Sequence, residues 1–84
     1  MPEIVIYTQD WCPYCVRAKN LLTAKGITFR EIDAPAGSPE RDLAHARSGR
    51  TSVPQIFVGD RHVGGCDDLM ALDRAGKLDT LLAA

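Results

Sequence analysis

The sequence lacks the features of a disulfide-framework protein, a membrane span or a nucleic-acid coat. It has three cysteines, an odd count that does not fit the paired cross-links of an oxidising compartment. Neither charge sign dominates: 10 Lys+Arg against 11 Asp+Glu leave a formal net charge of −1. That balance argues against a partner such as nucleic acid or an anionic membrane surface. No apolar run approaches the ~20 residues needed to span a bilayer. No charged n-region followed by an apolar h-region opens the chain, so no secretory leader is expected. Seven Gly and five Pro form no repeat, linker or low-complexity tract.

What is present is ordinary globular composition, with 45% hydrophobic and 25% charged residues over 84 positions. That length predicts a single domain over residues 1–84, because single cores usually hold about 100–200 residues and smaller ones are already marginal. Burying only about 60–65% of its unfolded surface, such a chain has room for one small sheet and a few helices. The expected setting is the cytosol, and the expected state a monomer.

Residues 3–7 are β-branched and aromatic and read as a buried strand. After the Thr8–Trp11 loop, Cys15, Ala18 and Leu22, with Leu21 beside them, follow a helical period, while Arg17, Lys19 and Asn20 are free to face water. Pro13 suits the first helical turn and Gly26 the C-terminal stop. Residues 27–32 alternate apolar and polar and predict a second strand, parallel to the first through a right-handed crossover. Ser38-Pro39 opens a helix that Gly49 ends. Residues 55–58 predict a third strand, Gly59-Asp60 a turn, and residues 61–63 a short fourth strand. A helix from Cys66 to about Ala75 follows, then a short one carrying Leu78, Leu81 and Leu82. The class is therefore α/β, in the order β-α-β-α-β-β-α with a small helical tail.

Cys12-Pro13-Tyr14-Cys15 straddles the exit from the first strand into the first helix. A cysteine at a helix N-terminus faces unpaired N–H groups and the positive end of the dipole, so the Cys12 thiolate is expected to form below the ~8.5 of a free cysteine. Cys15, one turn further on the apolar face, is the expected sheltered resolving thiol. The alternative for a C-x-x-C pair is half a zinc site, completed from Cys66, His62 and His45. No second C-x-x-C or H-x₃₋₅-H accompanies it, and no metal site is expected. The βαβ setting favours a thioredoxin-like redox motif.

Three segments, taken together, resemble the dithiol glutaredoxins, in particular the small bacterial glutaredoxin 3 type. They are Cys12-Pro13-Tyr14-Cys15 after the Tyr7-Thr8 strand end, Ser52-Val53-Pro54-Gln55-Ile56-Phe57, and Gly64-Gly65-Cys66-Asp67-Asp68. The resemblance covers essentially the whole chain. It implies a thioredoxin-like fold with a four-stranded mixed sheet flanked by helices. It also implies glutathione-dependent reduction of protein disulfides and glutathionylated thiols, with glutathione as co-substrate and no tightly bound cofactor. Cys12 would attack and Cys15 would resolve. Val53 would offer its backbone to the cysteinyl part of glutathione and Pro54 would be the family's cis-proline; a proline at the start of a strand is the plainer reading of Pro54. The Gly65-Cys66-Asp67 helix start would hold the γ-glutamyl end, amides on its carboxylate and Asp67 on its ammonium. First-turn capping by Asp67 and Asp68 is compatible with that role.

Two positions depart from the family pattern. Gln9 stands where a lysine is usual, keeping hydrogen-bonding capacity without charge, and Ser52 stands for the usual threonine, keeping the hydroxyl. Arg50 is a candidate for the missing cation, against the plainer reading of a solvated surface arginine. Tyr14 is expected to flank the glutathione groove and Cys66 to be a semi-buried helix-start residue. Trp11 either touches substrates or packs as an aromatic, and His45 and His62 read as surface residues. Some glutaredoxins instead bridge a [2Fe–2S] cluster, mainly those with C-G-F-S sites; Pro13-Tyr14 argues against that alternative.

Overall fold

Strand β1 (Ile4–Thr8) is buried along its whole length, and its alternating side chains supply both faces of the sheet. Ile4 and Ile6 join Ala18, Leu22, Ile56, Val58, Leu69, Leu78 and Leu82 in one core. Val5 and Tyr7 join Ala34, Ala44 and Phe57 in the other. Each fully buried Leu or Ile contributes about 1.5–3 kcal/mol. Residues 2–83 are described in this computed structural model.

The elements run β1, α1 (Pro13–Ala24), β2 (Arg30–Asp33), α2 (Pro39–Ser48), β3 (Gln55–Val58), β4 (Arg61–Gly64), α3 (Cys66–Arg74) and α4 (Lys77–Leu82). The sheet order is β2-β1-β3-β4. β1 and β2 are parallel, whereas β1–β3 and β3–β4 are antiparallel, giving the mixed sheet the sequence implies. The expected helix boundaries hold at Pro13, Ser38-Pro39 and Gly49, and Gly76 separates α3 from α4.

The second strand begins later than the residue 27–32 alternation predicts. Ile27 N–H is given to Leu22 O at 2.9 Å and Gly26 N–H to Thr23 O at 3.0 Å, with Gly26 at φ 72. Those paired bonds close the end of α1 in a Schellman arrangement. Residue 27 therefore belongs to the helix cap, and Ile27 and Phe29 alternate inward because they pack on the core from a loop. The sheet ladder starts only at Arg30, opposite Val5.

A buried polar chain connects the far edge of the sheet to the loop before β3. Gln55 is wholly buried at 0% exposure. Its Nε2 donates to the Ser52 carbonyl at 3.0 Å, and a carbonyl can only accept. Oε1 must then face His62 Nε2, 2.7 Å away, so that ring nitrogen carries the hydrogen. His62 is thus half-buried and partnered, also 5.0 Å centroid-to-centroid from Phe57, rather than the surface residue its sequence context suggests. This chain fixes Ser52 and the peptide that follows it.

Burial, and next the Arg50 charge with a smaller push from Arg47, hold the His62 imidazole below its ordinary 6.5, with Asp68 opposing. An unfolded chain takes up this proton near pH 6.5 more readily than the folded one, so His62 lets the fold keep full stability above that pH and erodes it below. Glu31 and Asp68, both shifted down, withdraw stability only in the acid range below 4.5 and 3.8. The urea midpoint is therefore expected to fall between pH 7.5 and 5.5, and His62→Gln, which keeps a donor for Gln55 but cannot titrate, to flatten that fall. An equally steep fall in the variant would contradict the assignment.

Candidate active site

Cys12 is the N-cap of α1, at φ −111 and ψ 99, with Pro13 in the first turn. Proline has no N–H to leave unpaired there, and the Cys12 sulfur takes the N–H of Cys15 at 3.1 Å. The two cysteines form a disulfide with Cα atoms 5.2 Å apart. Cys12 is half-buried, while Cys15 is buried to 1% exposure in the apolar face of α1 with Ala18 and Leu22. The pair thus has one sulfur within reach of a substrate and one behind it, the geometry of a dithiol redox site.

Cys12 Sγ lies 3.9 Å from the Val53 carbonyl oxygen, and the Val53–Pro54 peptide is cis. Among the described residues Val53 enters no backbone–backbone hydrogen bond. Its N–H and C=O are an unpaired peptide edge beside the sulfur. From there a groove of about 230 Å³ extends between the Ser52–Pro54 loop and the start of α3. Tyr14, Arg50, Ser52, Val53, Pro54, Gly65, Cys66 and Asp67, eight of the nine expected glutathione contacts, line it. Three sequence segments that are far apart in the chain therefore meet in one place.

The start of α3 is built around Gly64 and Asp68. Gly64 sits at φ 125, and a β-carbon there would collide with the Asp68 carboxylate. Asp68 Oδ2 accepts the Gly65 N–H at 2.9 Å and the Arg50 guanidinium at 2.7 Å. Arg50, followed by the Gly65 N–H, holds the Asp68 carboxyl below its ordinary range. Asp67 is exposed on the groove side. Burial, and next the neighbouring Asp67 charge, push the Cys66 thiol above its ordinary value. Cys66 is accordingly a buried neutral wall of the groove.

Gln9 is the candidate that the structure moves away from the others. It lines a second groove on the opposite flank of Cys12, and its Oε1 accepts from Arg41 Nη1 at 2.8 Å. Arg41 also donates to the carbonyls of Ala34 at 2.9 Å and Thr51 at 2.9 Å. The cation beside Gln9 is thus Arg41, and Arg50 is paired with Asp68. Sequence reasoning missed Arg41 because it is the third residue of α2, and only the folded return of that helix brings it across to Gln9. Its one signal was position, one turn after the Ser38 cap.

The alternative metal ligands do not converge. His62 is bonded to Gln55 and His45 Nδ1 to the Arg50 carbonyl at 3.1 Å. Among the described residues no three His, Cys, Asp or Glu side chains gather as a metal-holding group. None of the described helices is long and apolar enough to cross a membrane.

Comparison with known proteins gives the same picture. The family model described as Glutaredoxin matches residues 4–63. The chain is 62% identical to a protein named Glutaredoxin from Pseudomonas aeruginosa, with 100% of both chains covered. It is 52% identical to Glutaredoxin 3 of Escherichia coli K12, over 98% of this chain and 99% of that one. The structure of a buckwheat glutaredoxin–glutathione complex superposes with a TM-score of 0.86 at 29% identity, over 98% of this chain and 77% of that one. With an N-cap cysteine pair, a matching mixed sheet and relatives aligned end to end, the chain belongs to the glutaredoxin family of thiol–disulfide oxidoreductases.

Proposed function

We propose that the protein is a glutathione-dependent oxidoreductase in which Cys12 attacks, Cys15 resolves and glutathione occupies the groove between Val53 and α3. One observation carries this reading: the unpaired Val53 peptide edge stands 3.9 Å from Cys12 Sγ, in the same groove as the N-terminus of a helix. A γ-glutamyl-cysteinyl-glycine molecule needs that pairing of recognisers, one for its central peptide and one for an anionic end. The α3 amides receive the γ-glutamyl carboxylate and Asp67 its ammonium. Ser52 and Tyr14 border the bound peptide, while Gln9, bonded to Arg41 in the other groove beside Cys12, stands apart from it. The buckwheat complex, a relative holding glutathione on a similar fold, supports the assignment.

The chemistry is two thiol–disulfide exchanges. The Cys12 thiolate attacks the glutathione sulfur of a glutathionylated protein, a Cys12–glutathione disulfide forms, and the protein sulfur leaves with the electron pair and takes a proton. A second glutathione thiolate then attacks the bound glutathione sulfur, releasing glutathione disulfide and restoring the Cys12 thiolate. With a protein disulfide, Cys12 first forms a mixed disulfide with the protein and Cys15 displaces it. The Cys12–Cys15 disulfide that results is reduced by two glutathiones. Both routes are complete within one chain and call for no tightly held cofactor, so a monomer suffices. The cytosol is the proposed compartment, because this cycle runs where glutathione is kept reduced.

Coupled turnover with glutathione, glutathione reductase and a glutathionylated peptide tests the reading. Cys12→Ser is expected to abolish turnover. Cys15→Ser is expected to keep it while losing most reduction of protein disulfides. Comparable deglutathionylation by the two variants, or a dead Cys15→Ser, would overturn the role assignment.

Asp67→Ala separates a ligand contact from a helix cap. A charge-assisted hydrogen bond is worth about 1.5–3 kcal/mol, and exposure of Asp67 discounts it, so the expected loss in kcat/KM is about 5–20-fold. Reduction of the Cys12–Cys15 disulfide by a neutral dithiol is expected to stay at the parent rate. Equal losses in both assays would make Asp67 a cap only.

A further inference from the structure

Trp11, immediately before the nucleophile, is 98% exposed and held at φ 61. A left-handed backbone is unfavourable for a bulky residue, and a side chain in open water gains no burial that offsets it. The fold therefore has no use for this tryptophan in this position. It overhangs a groove of about 730 Å³ whose walls include Thr8, Asp10, Trp11, Val16, Lys19 and Asp33. Both active-site cysteines reach this groove, and none of the residues lining the glutathione groove does.

The charges in it are unequal. Lys19 Nζ pairs with Glu31 Oε2 at 2.9 Å, and Thr8 Oγ1 donates to the same oxygen at 2.6 Å. Asp10 and Asp33 form no ion pair among the described residues. The neighbouring Arg41 is engaged with Gln9 and with the carbonyls of Ala34 and Thr51. Two uncompensated carboxylates thus stand beside two exposed apolar side chains, Trp11 and Val16. Glutathione suits this groove poorly, since it carries net negative charge and no large apolar group.

We propose that this groove seats the polypeptide of a protein substrate, an apolar side chain lying on Trp11 and Val16 and a basic residue beside the target cysteine meeting Asp10 and Asp33. The inference rests on Cys12 as the attacking thiol, but not on glutathione as the reductant. Exposed aromatics next to a reactive atom are the usual anchors of a transient interface, and rim carboxylates set its charge preference. The two flanks of Cys12 then divide the work: one holds glutathione and the other its protein partner.

A glutathione-free assay tests it. Peptides carrying a cysteine–thionitrobenzoate mixed disulfide, flanked by Leu-Lys or by Leu-Glu, are offered to the fully reduced protein. The Cys12 thiolate attacks the peptide sulfur, the Cys12–peptide disulfide forms, and coloured thionitrobenzoate leaves with the electron pair. Exposed ion pairs are individually weak, so the Lys peptide is expected to react about 3–10-fold faster than the Glu peptide at low salt. The gap should close at high salt and in the Asp10→Asn/Asp33→Asn double variant. Trp11→Asn is expected to slow both peptides about fivefold, to leave mercaptoethanol–thionitrobenzoate at the parent rate, and to melt no lower than the parent, because Asn tolerates the left-handed backbone. Equal peptide rates in the parent, a charge preference that survives the double variant, or equal slowing of mercaptoethanol–thionitrobenzoate by Trp11→Asn would overturn the proposal. Failure of coupled turnover with glutathione alongside a retained peptide preference would strike only the glutathione reading.

Discussion

The hydrogen bond from the Cys15 backbone N–H to the Cys12 sulfur, 3.1 Å long, is the interaction on which the site depends. It makes a cysteine do the work that Ser, Thr, Asp or Asn does at most helix starts. The donor already points at the sulfur before any charge forms, so ionising Cys12 requires little reorganisation. Hydrogen bonds to charged groups contribute about 1.5–3 kcal/mol, and one pKa unit is about 1.4 kcal/mol. A single capping contact of this kind is therefore large enough to decide whether a thiol is a nucleophile at neutral pH. The missing N–H of Pro13 fits the same helix start.

Everything else holds that sulfur between two different flanks. Ile4 and Ile6 anchor β1 in the core beneath α1 and α3, which fixes the strand exit that presents Cys12. Gln55, buried and donating to the Ser52 carbonyl, sets the Val53 peptide from the opposite strand. Asp68, bound to Gly65 and Arg50, sets the start of α3. Lys25 ties the end of α1 to Asp73 and Asp79 at 2.6 and 3.1 Å, joining three helices on the side away from the sulfur. The groove between Val53 and α3 is thus tied down from several sides, while Trp11 is left standing in solvent.

Much of this was legible in the sequence, for physical reasons. Residues that act through the backbone leave marks: Pro13, Ser38-Pro39, Gly49 and Gly76 each occur where a helix must start or stop. The cysteine pair was legible because its position between strand and helix already implies an N-cap. What stayed hidden depends on long-range return of the chain. Arg41 meets Gln9 only because α2 folds back over β1, and His62 is half-buried only because β4 pairs Phe57 with it. Ile27 and Phe29 alternate like a strand but serve a helix cap and a loop, since periodicity reports burial and not the ladder. The backbone of Trp11 carries no sequence mark at all, because left-handed positions usually announce themselves as Gly or Asn.

The central claim is that Cys12 is an activated N-cap thiol even though Gln9 replaces a lysine. Its most direct test is the rate of iodoacetamide alkylation of Cys12 across pH, in the reduced protein with Cys15 replaced by Ser. Ionisation controlled by the helix start predicts a midpoint well below the ~8.5 of a free cysteine. A midpoint at or above that value would show that the capping geometry does not activate the sulfur.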